Sequence, residues 1–120
     1  MGSYAFYGCT SLNAVTIGNS ITDIGDHTFY NCSSLTSVTI PEGVTVIDPY
    51  AFSYCGSLVS VTLPASIATI ANKAFYNSGN LSEMNYAGTM ENWANVSCGS
   101  DWISGTNITS INCSDGVINL

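Results

Sequence analysis

Cysteine offers the most varied chemistry in this sequence, because a thiolate can act as a nucleophile, a metal ligand or half of a disulfide. Three of the five cysteines, Cys9, Cys32 and Cys55, lie 23 residues apart. Zinc sites use close cysteine pairs, and no C-x-x-C occurs here. Equally spaced side chains in a repeat point the same way, whereas a disulfide needs converging Cβ atoms. We predict three unpaired, buried thiols and leave open a disulfide between Cys98 and Cys113.

His27 is the only histidine and therefore the first candidate for a general base. A cysteine nucleophile would need it beside Cys32. Its equivalents 23 residues before and after are Tyr4 and Tyr50, which indicates an outward position, whereas the cysteine points inward. We therefore predict no catalytic residues.

Three acidic residues, Asp23, Asp26 and Asp48, could gather on one edge and attract calcium. Their spacing matches neither an EF-hand loop nor a calcium-binding glycine-rich repeat. A solvated acidic face is the preferred interpretation, so we predict neither a metal site nor a cofactor.

The charge balance excludes several classes of partner. Charged residues make up only 8% of the chain, the net charge is −7, and Lys73 is the single basic side chain. Binding to nucleic acids or anionic membranes needs several Lys or Arg residues. No run of eighteen apolar residues occurs, so membrane insertion is not expected either.

A shift of 23 residues aligns the sequence with itself, which is the signature of a repeat protein. Phe6, for example, falls on Phe29, Phe52 and Phe75. One unit cannot bury its apolar side chains alone, so units must stack like on like. We predict a β-rich solenoid of about five units, whose short parallel strands stack in one sheet about 4.8 Å apart. Residues that align at this spacing form a column, one residue from each unit. Seven columns are apolar, and they begin at Phe6, Cys9, Leu12, Val15, Ile17, Ile21 and Ile24.

The regular pattern decays after Phe75. We place Cys98 in the phenylalanine column and a four-residue insertion within 99–107. A helix over 90–96 is predicted, with Thr89 as its cap and Glu91 in its first turn. The whole chain (1–120) is predicted to be one domain, with regular repeats over 4–86 and a degenerate last unit and C-terminal cap over 87–120. In that last unit the expected core positions are Ile108, Ile111, Cys113, Val117 and Leu120, with a tight turn at Asp115-Gly116.

The third unit reads Ala51-Phe52-x-x-Cys55-x-x-Leu58-x-x-Val61-Thr62-Leu63-Pro64-x-x-Ile67-x-x-Ile70, and the same frame recurs on both sides. This frame resembles the 23-residue leucine-rich repeat of the BspA-like surface proteins. The resemblance implies a leucine-rich repeat solenoid on a bacterial cell surface or secreted from one. It also implies adhesion to host matrix proteins or to other cells, and no common catalytic residues.

Small neutral side chains between the apolar strand positions are predicted to face the concave sheet surface, where solenoids commonly bind. We predict a non-catalytic interaction module that binds a protein partner, from host matrix or another cell surface, on this face. The alternatives are a carbohydrate-binding module or an accessory repeat domain of a larger enzyme. The candidate partner-binding residues are Asn13, Thr16, Thr36, Ser37, Thr39, Ser60, Thr62, Ser82 and Asn85.

Two further surfaces follow from the repeat. Tyr7, Tyr30 and Tyr76 follow the core phenylalanines and are candidates for an exposed patch. No N-terminal cap is visible, so the first unit should expose the edges of its core side chains and allow end-to-end self-association. Those side chains are Phe6, Leu12, Val15 and Ile17.

Overall fold

The computed structural model describes all residues from 1 to 120 as one continuous solenoid. Its strands are short, as expected where each coil contributes only a few residues to a stack. In chain order the elements are β1 (Asp23–Ile24), β2 (Ser37–Thr39), β3 (Val46–Ile47), β4 (Ser60–Leu63), β5 (Thr69–Ile70), β6 (Glu83–Tyr86), α1 (Met90–Trp93), β7 (Ser97–Cys98), β8 (Ser110–Cys113) and β9 (Gly116–Asn119).

The strands form two sheets on different sides of each coil. Sheet A has the order β1-β3-β5-β7, and all of its strand pairs are parallel. Sheet B has the order β2-β4-β6-β8-β9, parallel except for the final antiparallel pair. The predicted β-solenoid is confirmed, including the 23-residue register that pairs Val38 with Val61 and Val61 with Met84. The sequence predicts one sheet and the structure has two, because the two-residue strands of sheet A are too short to show alternation in the sequence.

The core consists of columns of like residues. The rings of Phe29, Phe52 and Phe75 stack with centroid distances of 5.0 and 5.3 Å, and each ring is fully buried. Leu35 and Leu58 are also fully buried. Each unit therefore buries its side chains against the units above and below, as the repeat predicts.

The last unit departs from the predicted alignment. Cys98 pairs with Ile70 in sheet A, so it does not occupy the phenylalanine column. Ile103 occupies that column, because the Phe75 N–H donates to the carbonyl of the preceding residue, Trp102, at 2.9 Å, just as Phe52 donates to Ala74. The Trp102 ring lies beside the column, 6.4 Å from the Phe75 ring. The extra residues lie within 87–96, where the chain forms α1, and not within 99–107. Both errors arise because the insertion comes before this column and Ile103 replaces the phenylalanine.

The C-terminus reverses direction instead of starting another coil. Ile111 is fully buried and pairs with Met84, as predicted. However, Val117 and Leu120 are 55% and 61% exposed, so their assignment to core columns is wrong. The turn at residues 114–115 folds β9 back antiparallel to β8.

The predicted helix is shorter than expected, and a side chain from the β8–β9 hairpin accepts a hydrogen bond from its first residue. Thr89 is its N-cap, and its hydroxyl accepts a hydrogen bond from the Asn92 N–H at 3.1 Å. The helix ends at Trp93, whereas the sequence predicts an end at Val96. The carboxylate of Asp115 accepts the Met90 N–H at 2.8 Å, which joins the hairpin turn to the start of the helix. No helix is long and apolar enough to cross a membrane.

The first unit is only partly covered. Phe6, Leu12 and Val15 pack against the core but stay partly exposed, whereas Ile17 is buried, contrary to prediction. Residues 13–18 form no strand, so β4 is the only strand partner of β2. Self-association through this unit stays a prediction.

The column assignment predicts unequal effects on stability. Leu58→Ala should lower the free energy of unfolding by about 2–5 kcal/mol, because it opens a cavity in the middle of the stack. Thr62→Ala, on the half-exposed face of β4, should lower it by less than about 0.5 kcal/mol. Urea melts of both variants measure the difference, and equal losses would contradict the assignment.

Candidate functional site

The cysteine column is part of the scaffold. The Cys32 thiol donates to the carbonyl of Phe6 at 3.2 Å, and the Cys55 thiol donates to that of Phe29 at 3.1 Å. Ser78, one unit later in the same column, donates to Phe52 at 2.7 Å in the same way. Burial raises the pKa of the Cys32 thiol to about 11 and that of Cys55 to about 12. These groups stay protonated at neutral pH and act as hydrogen-bond donors between coils.

All five cysteines are unpaired. The disulfide left open between Cys98 and Cys113 does not form, because Cys98 belongs to sheet A and Cys113 to sheet B.

His27 lies at the surface within a group of aromatic rings. Its Nδ1 is 2.6 Å from the carboxylate of Asp26, and its ring stacks between Tyr4 and Tyr50 at 4.8 and 4.7 Å. The hydrogen bond of the Cys32 thiol goes to a backbone carbonyl and not to this imidazole. The histidine is therefore held by Asp26 and two tyrosines.

The three acidic residues do gather on one edge. Burial raises the pKa of Asp48, and the negative charges of Asp23 and Asp26 raise it further. The side chains of Asp23 and Asp26 remain 46% and 44% exposed. No group of three or more His, Cys, Asp or Glu side chains is arranged to hold a metal ion.

The exposed face of sheet B brings together seven of the nine candidate binding residues. The ladder aligns Ser37 with Ser60 and Thr39 with Thr62, and Asn85 continues the second row. Thr36 and Ser82 lie exposed at the start of this face. Asn13 and Thr16 are exposed on the first unit, which contributes no strand to the sheet.

A groove of about 400 Å³ opens between the first unit and β2. Among the candidate binding residues, Thr16, Ser37 and Thr39 line it. Its apolar lining residues are Ala14, Val15, Ile17 and Val38. Because residues 13–18 form no strand beside β2, the groove lies along an open edge of sheet B.

A second surface consists of aromatic side chains at the corner that follows sheet A. Beside the stack of Tyr4, His27 and Tyr50, the rings of Tyr7 and Tyr30 stack at 5.1 Å. These two columns touch, because Tyr4 and Tyr7 have centroids 5.3 Å apart.

The surface continues through the third and fourth units by a one-residue shift. Ser53 occupies the position equivalent to Tyr30, and the neighbouring Tyr54 places its ring 5.4 Å from Tyr30 and 5.9 Å from Tyr76. The Lys73 ammonium lies 5.0 Å from the centre of the Tyr76 ring. We call this surface the aromatic ribbon: Tyr4, Tyr7, His27, Tyr30, Tyr50, Tyr54, Lys73 and Tyr76.

The backbone of the ribbon is left-handed at several large residues. Tyr4, His27, Tyr50 and Lys73 have φ angles of 62, 56, 62 and 56°, and Tyr54 has 59°. This conformation costs about 1 kcal/mol or more for a residue with a Cβ atom. The same position adopts this conformation in four successive units, so the coil geometry requires it at this corner.

The repeat and fold agree with known relatives. The family model described as the BspA type leucine rich repeat region matches residues 1–120 in six copies, where the sequence analysis predicts about five units. The chain belongs to the BspA-type leucine-rich repeat family. The resemblance stated from the sequence is thus confirmed, and members of this repeat family generally act as interaction modules. No curated protein sequence matches the chain.

Two solved structures share this BspA-type fold. A leucine rich cell surface protein from Faecalibacterium prausnitzii is 34% identical, with a TM-score of 0.77 over 80% of this chain and 25% of its own length. The leucine rich repeat protein of T. pallidum is 29% identical, with a TM-score of 0.81 over 92% of this chain and 50% of its own. The chain therefore spans a quarter to a half of these proteins.

Sequence reasoning found only part of the surfaces of this BspA-type solenoid. It predicted Tyr7, Tyr30 and Tyr76 as a patch but missed Tyr54, which does not share their column. It also missed Asn112, whose side-chain amide donates to Asn85 at 3.0 Å and extends the polar face of sheet B. An alignment allowing one-residue shifts would have shown Tyr54, and the predicted alignment already places Asn112, between Ile111 and Cys113, in the column of Asn85.

The buried thiols predict slow chemical modification. Cys32 and Cys55 should react with a thiol reagent only as the protein unfolds, since both are inaccessible and their raised pKa values leave little thiolate at pH 8. Peptide mass mapping after labelling in increasing urea measures this. Cys55→Ser is the control and should fold, because Ser78 makes the same hydrogen bond one unit later. A disulfide between any two column cysteines would contradict the prediction.

We expect Asp48 to make the free energy of unfolding of this protein depend on pH. Its pKa in the folded chain is raised above 3.8, so its ionisation costs more in the folded than in the unfolded state. The penalty is absent below the unfolded pKa and develops as pH rises through the folded pKa. Asp48→Asn should therefore match the wild type at pH 3 and be more stable at pH 7, by up to about 0.5 kcal/mol. Urea melts at both pH values test this, with Glu83→Gln on sheet B as the control.

Proposed function

We propose that this chain is a non-catalytic interaction and adhesion module that binds a protein partner on the exposed face of sheet B. The observation that carries the proposal is the row of hydroxyl and amide side chains at Thr39, Thr62 and Asn85, repeated by Ser37 and Ser60. This surface is extended and periodic, and suits a long partner better than a small molecule.

The groove beside β2 supports a protein partner in particular. An extended peptide can add to an open sheet edge through main-chain hydrogen bonds, with its side chains in neighbouring pockets. The groove offers such an edge, together with the hydroxyls of Thr16, Ser37 and Thr39. Few charges lie on this face, so binding should depend little on salt.

A surface or secreted location fits the same proposal. The Faecalibacterium prausnitzii relative is described as a cell surface protein. The proposed partner is then a host matrix protein or a protein on another cell, since a surface or secreted protein meets both. Each contact between small side chains is weak, so the affinity should be micromolar or poorer and should rise with repeat number.

The second candidate is a carbohydrate-binding module, because hydroxyl rows and exposed tyrosines also suit sugars. The third is an accessory repeat domain of a larger enzyme, which remains open because the chain spans only part of its relatives. A glycan array separates the first two candidates, and activity assays on the longer protein address the third.

The decisive variant carries Thr39→Glu and Thr62→Glu, which place two charges in the middle of the sheet B face. Binding to immobilised matrix proteins and to cells should fall at least about tenfold, since the carboxylates would be desolvated without partners. The control carries Thr45→Glu and Ala68→Glu, two exposed residues 23 apart beside sheet A. If the wild type binds, and the Thr39→Glu, Thr62→Glu variant binds as well as the control variant, the face of sheet B is not the site.

A further inference from the structure

The aromatic ribbon has no role in the core or in the proposed sheet B site. Tyr4, Tyr7 and Tyr54 expose 52%, 51% and 40% of their surfaces. We propose that the ribbon, with the carboxylate of Asp26 on its edge, is a docking surface for an extended protein segment that carries arginine or lysine side chains. This surface is separate from the face of sheet B and does not depend on that proposal.

The geometry provides both elements that a cation needs. Tyrosine faces attract a cation within about 6 Å of the ring centre. The carboxylate of Asp26 lies 2.6 Å from the His27 imidazole, which is itself stacked on Tyr4. A guanidinium over the Tyr4–Tyr7 end of the ribbon would therefore have π faces and a carboxylate within its reach.

The chain already contains one example of the contact. Its only basic side chain, Lys73, occupies the ribbon position of Tyr50 one unit later. The Lys73 ammonium lies 5.8 Å from the ring centre of Tyr50 and 5.0 Å from that of Tyr76. The more exposed rings of Tyr7 and Tyr54 have no such cation.

Charge complementarity favours a basic segment over a neutral glycan. The net charge is −7, and Asp26, which bonds to His27 of the ribbon, lies in a group with Asp23 and Asp48. The N-terminal ammonium, 3.9 Å from the Asp23 carboxylate, offsets one of these three charges. Ionised Asp48 adds to this field, although its desolvation works against folding. A neutral sugar can only donate hydroxyl hydrogen bonds to these carboxylates, whereas an arginine side chain gains charge attraction from them and stacks on the rings.

The test measures binding of a nonapeptide of alternating arginine and glycine by calorimetry. The wild type should bind it saturably, and more weakly as salt rises. Tyr7→Leu and Tyr54→Leu should each weaken binding about threefold, because leucine keeps apolar contact but has no π face. Lys73→Ser should strengthen binding about threefold, because it frees two rings and removes a positive charge. Circular dichroism and urea melts verify that each variant is folded.

Two controls test whether binding needs the arginine charge and whether it takes place on the face of sheet B. The same peptide with citrulline in place of arginine keeps the shape but not the charge, and should not bind. The variant with Thr39→Glu and Thr62→Glu should bind the arginine peptide within about twofold of the wild type.

Equal binding by wild type and both leucine variants would overturn the proposal, because net charge alone would then explain the affinity. Equal binding of the citrulline peptide would also overturn it. A neutral hexasaccharide that binds in place of the peptide, and is lost in the leucine variants, would assign the ribbon to glycans and refute a cationic partner.

Discussion

The stacking of like side chains at 23-residue spacing is the interaction on which the rest of this structure depends. A single coil cannot bury its own side chains. Phe52 is fully buried only because Phe29 and Phe75 lie on either side of it. Regular secondary structure contributes little, because 52 of the 65 backbone hydrogen bonds lie outside helices and strands. Turns that bond to the same turn in the next coil hold the solenoid together. The exact spacing therefore matters more than strand propensity.

The same constraint explains the cysteine column. The carbonyls of Phe6 and Phe29 accept a backbone N–H from their own unit, and a small donor from the following unit adds a second hydrogen bond. Cys32, Cys55 and Ser78 all supply that donor, with either sulfur or oxygen. No buried side-chain nitrogen or oxygen is left without a partner. What resembles a reactive constellation in the sequence is thus a structural hydrogen-bond ladder.

The sequence predicts the solenoid well because seven apolar columns report directly on burial. It predicts sheet B, since Val38, Val61 and Met84 alternate with polar neighbours, but not sheet A, whose two-residue strands leave no period. The left-handed corners could not be predicted, because Tyr50 and Lys73 replace the glycine or asparagine that usually marks such a position. The last unit was misaligned because Ile103 replaces a phenylalanine after an insertion. For the binding surfaces, spacing predicted the rows of sheet B but not the ribbon, which depends on contacts between columns.

Periodicity that aligns the core must also align the surface, so any side chain repeated at one position becomes a row about 5 Å apart. The solenoid therefore carries two periodic surfaces that differ in charge, the hydroxyl face of sheet B and the aromatic ribbon. The hydroxyl face is neutral, and its contacts would be short-ranged. The ribbon lies beside Asp26, which is grouped with Asp23 and Asp48, and its attraction for a cation extends over a Debye length, about 8 Å at physiological salt. Salt therefore discriminates between the surfaces, because it screens binding at the ribbon and leaves binding at sheet B almost unchanged. A partner that uses both would be captured electrostatically at the ribbon and held by short-range contacts at the sheet, where added repeats lengthen the row.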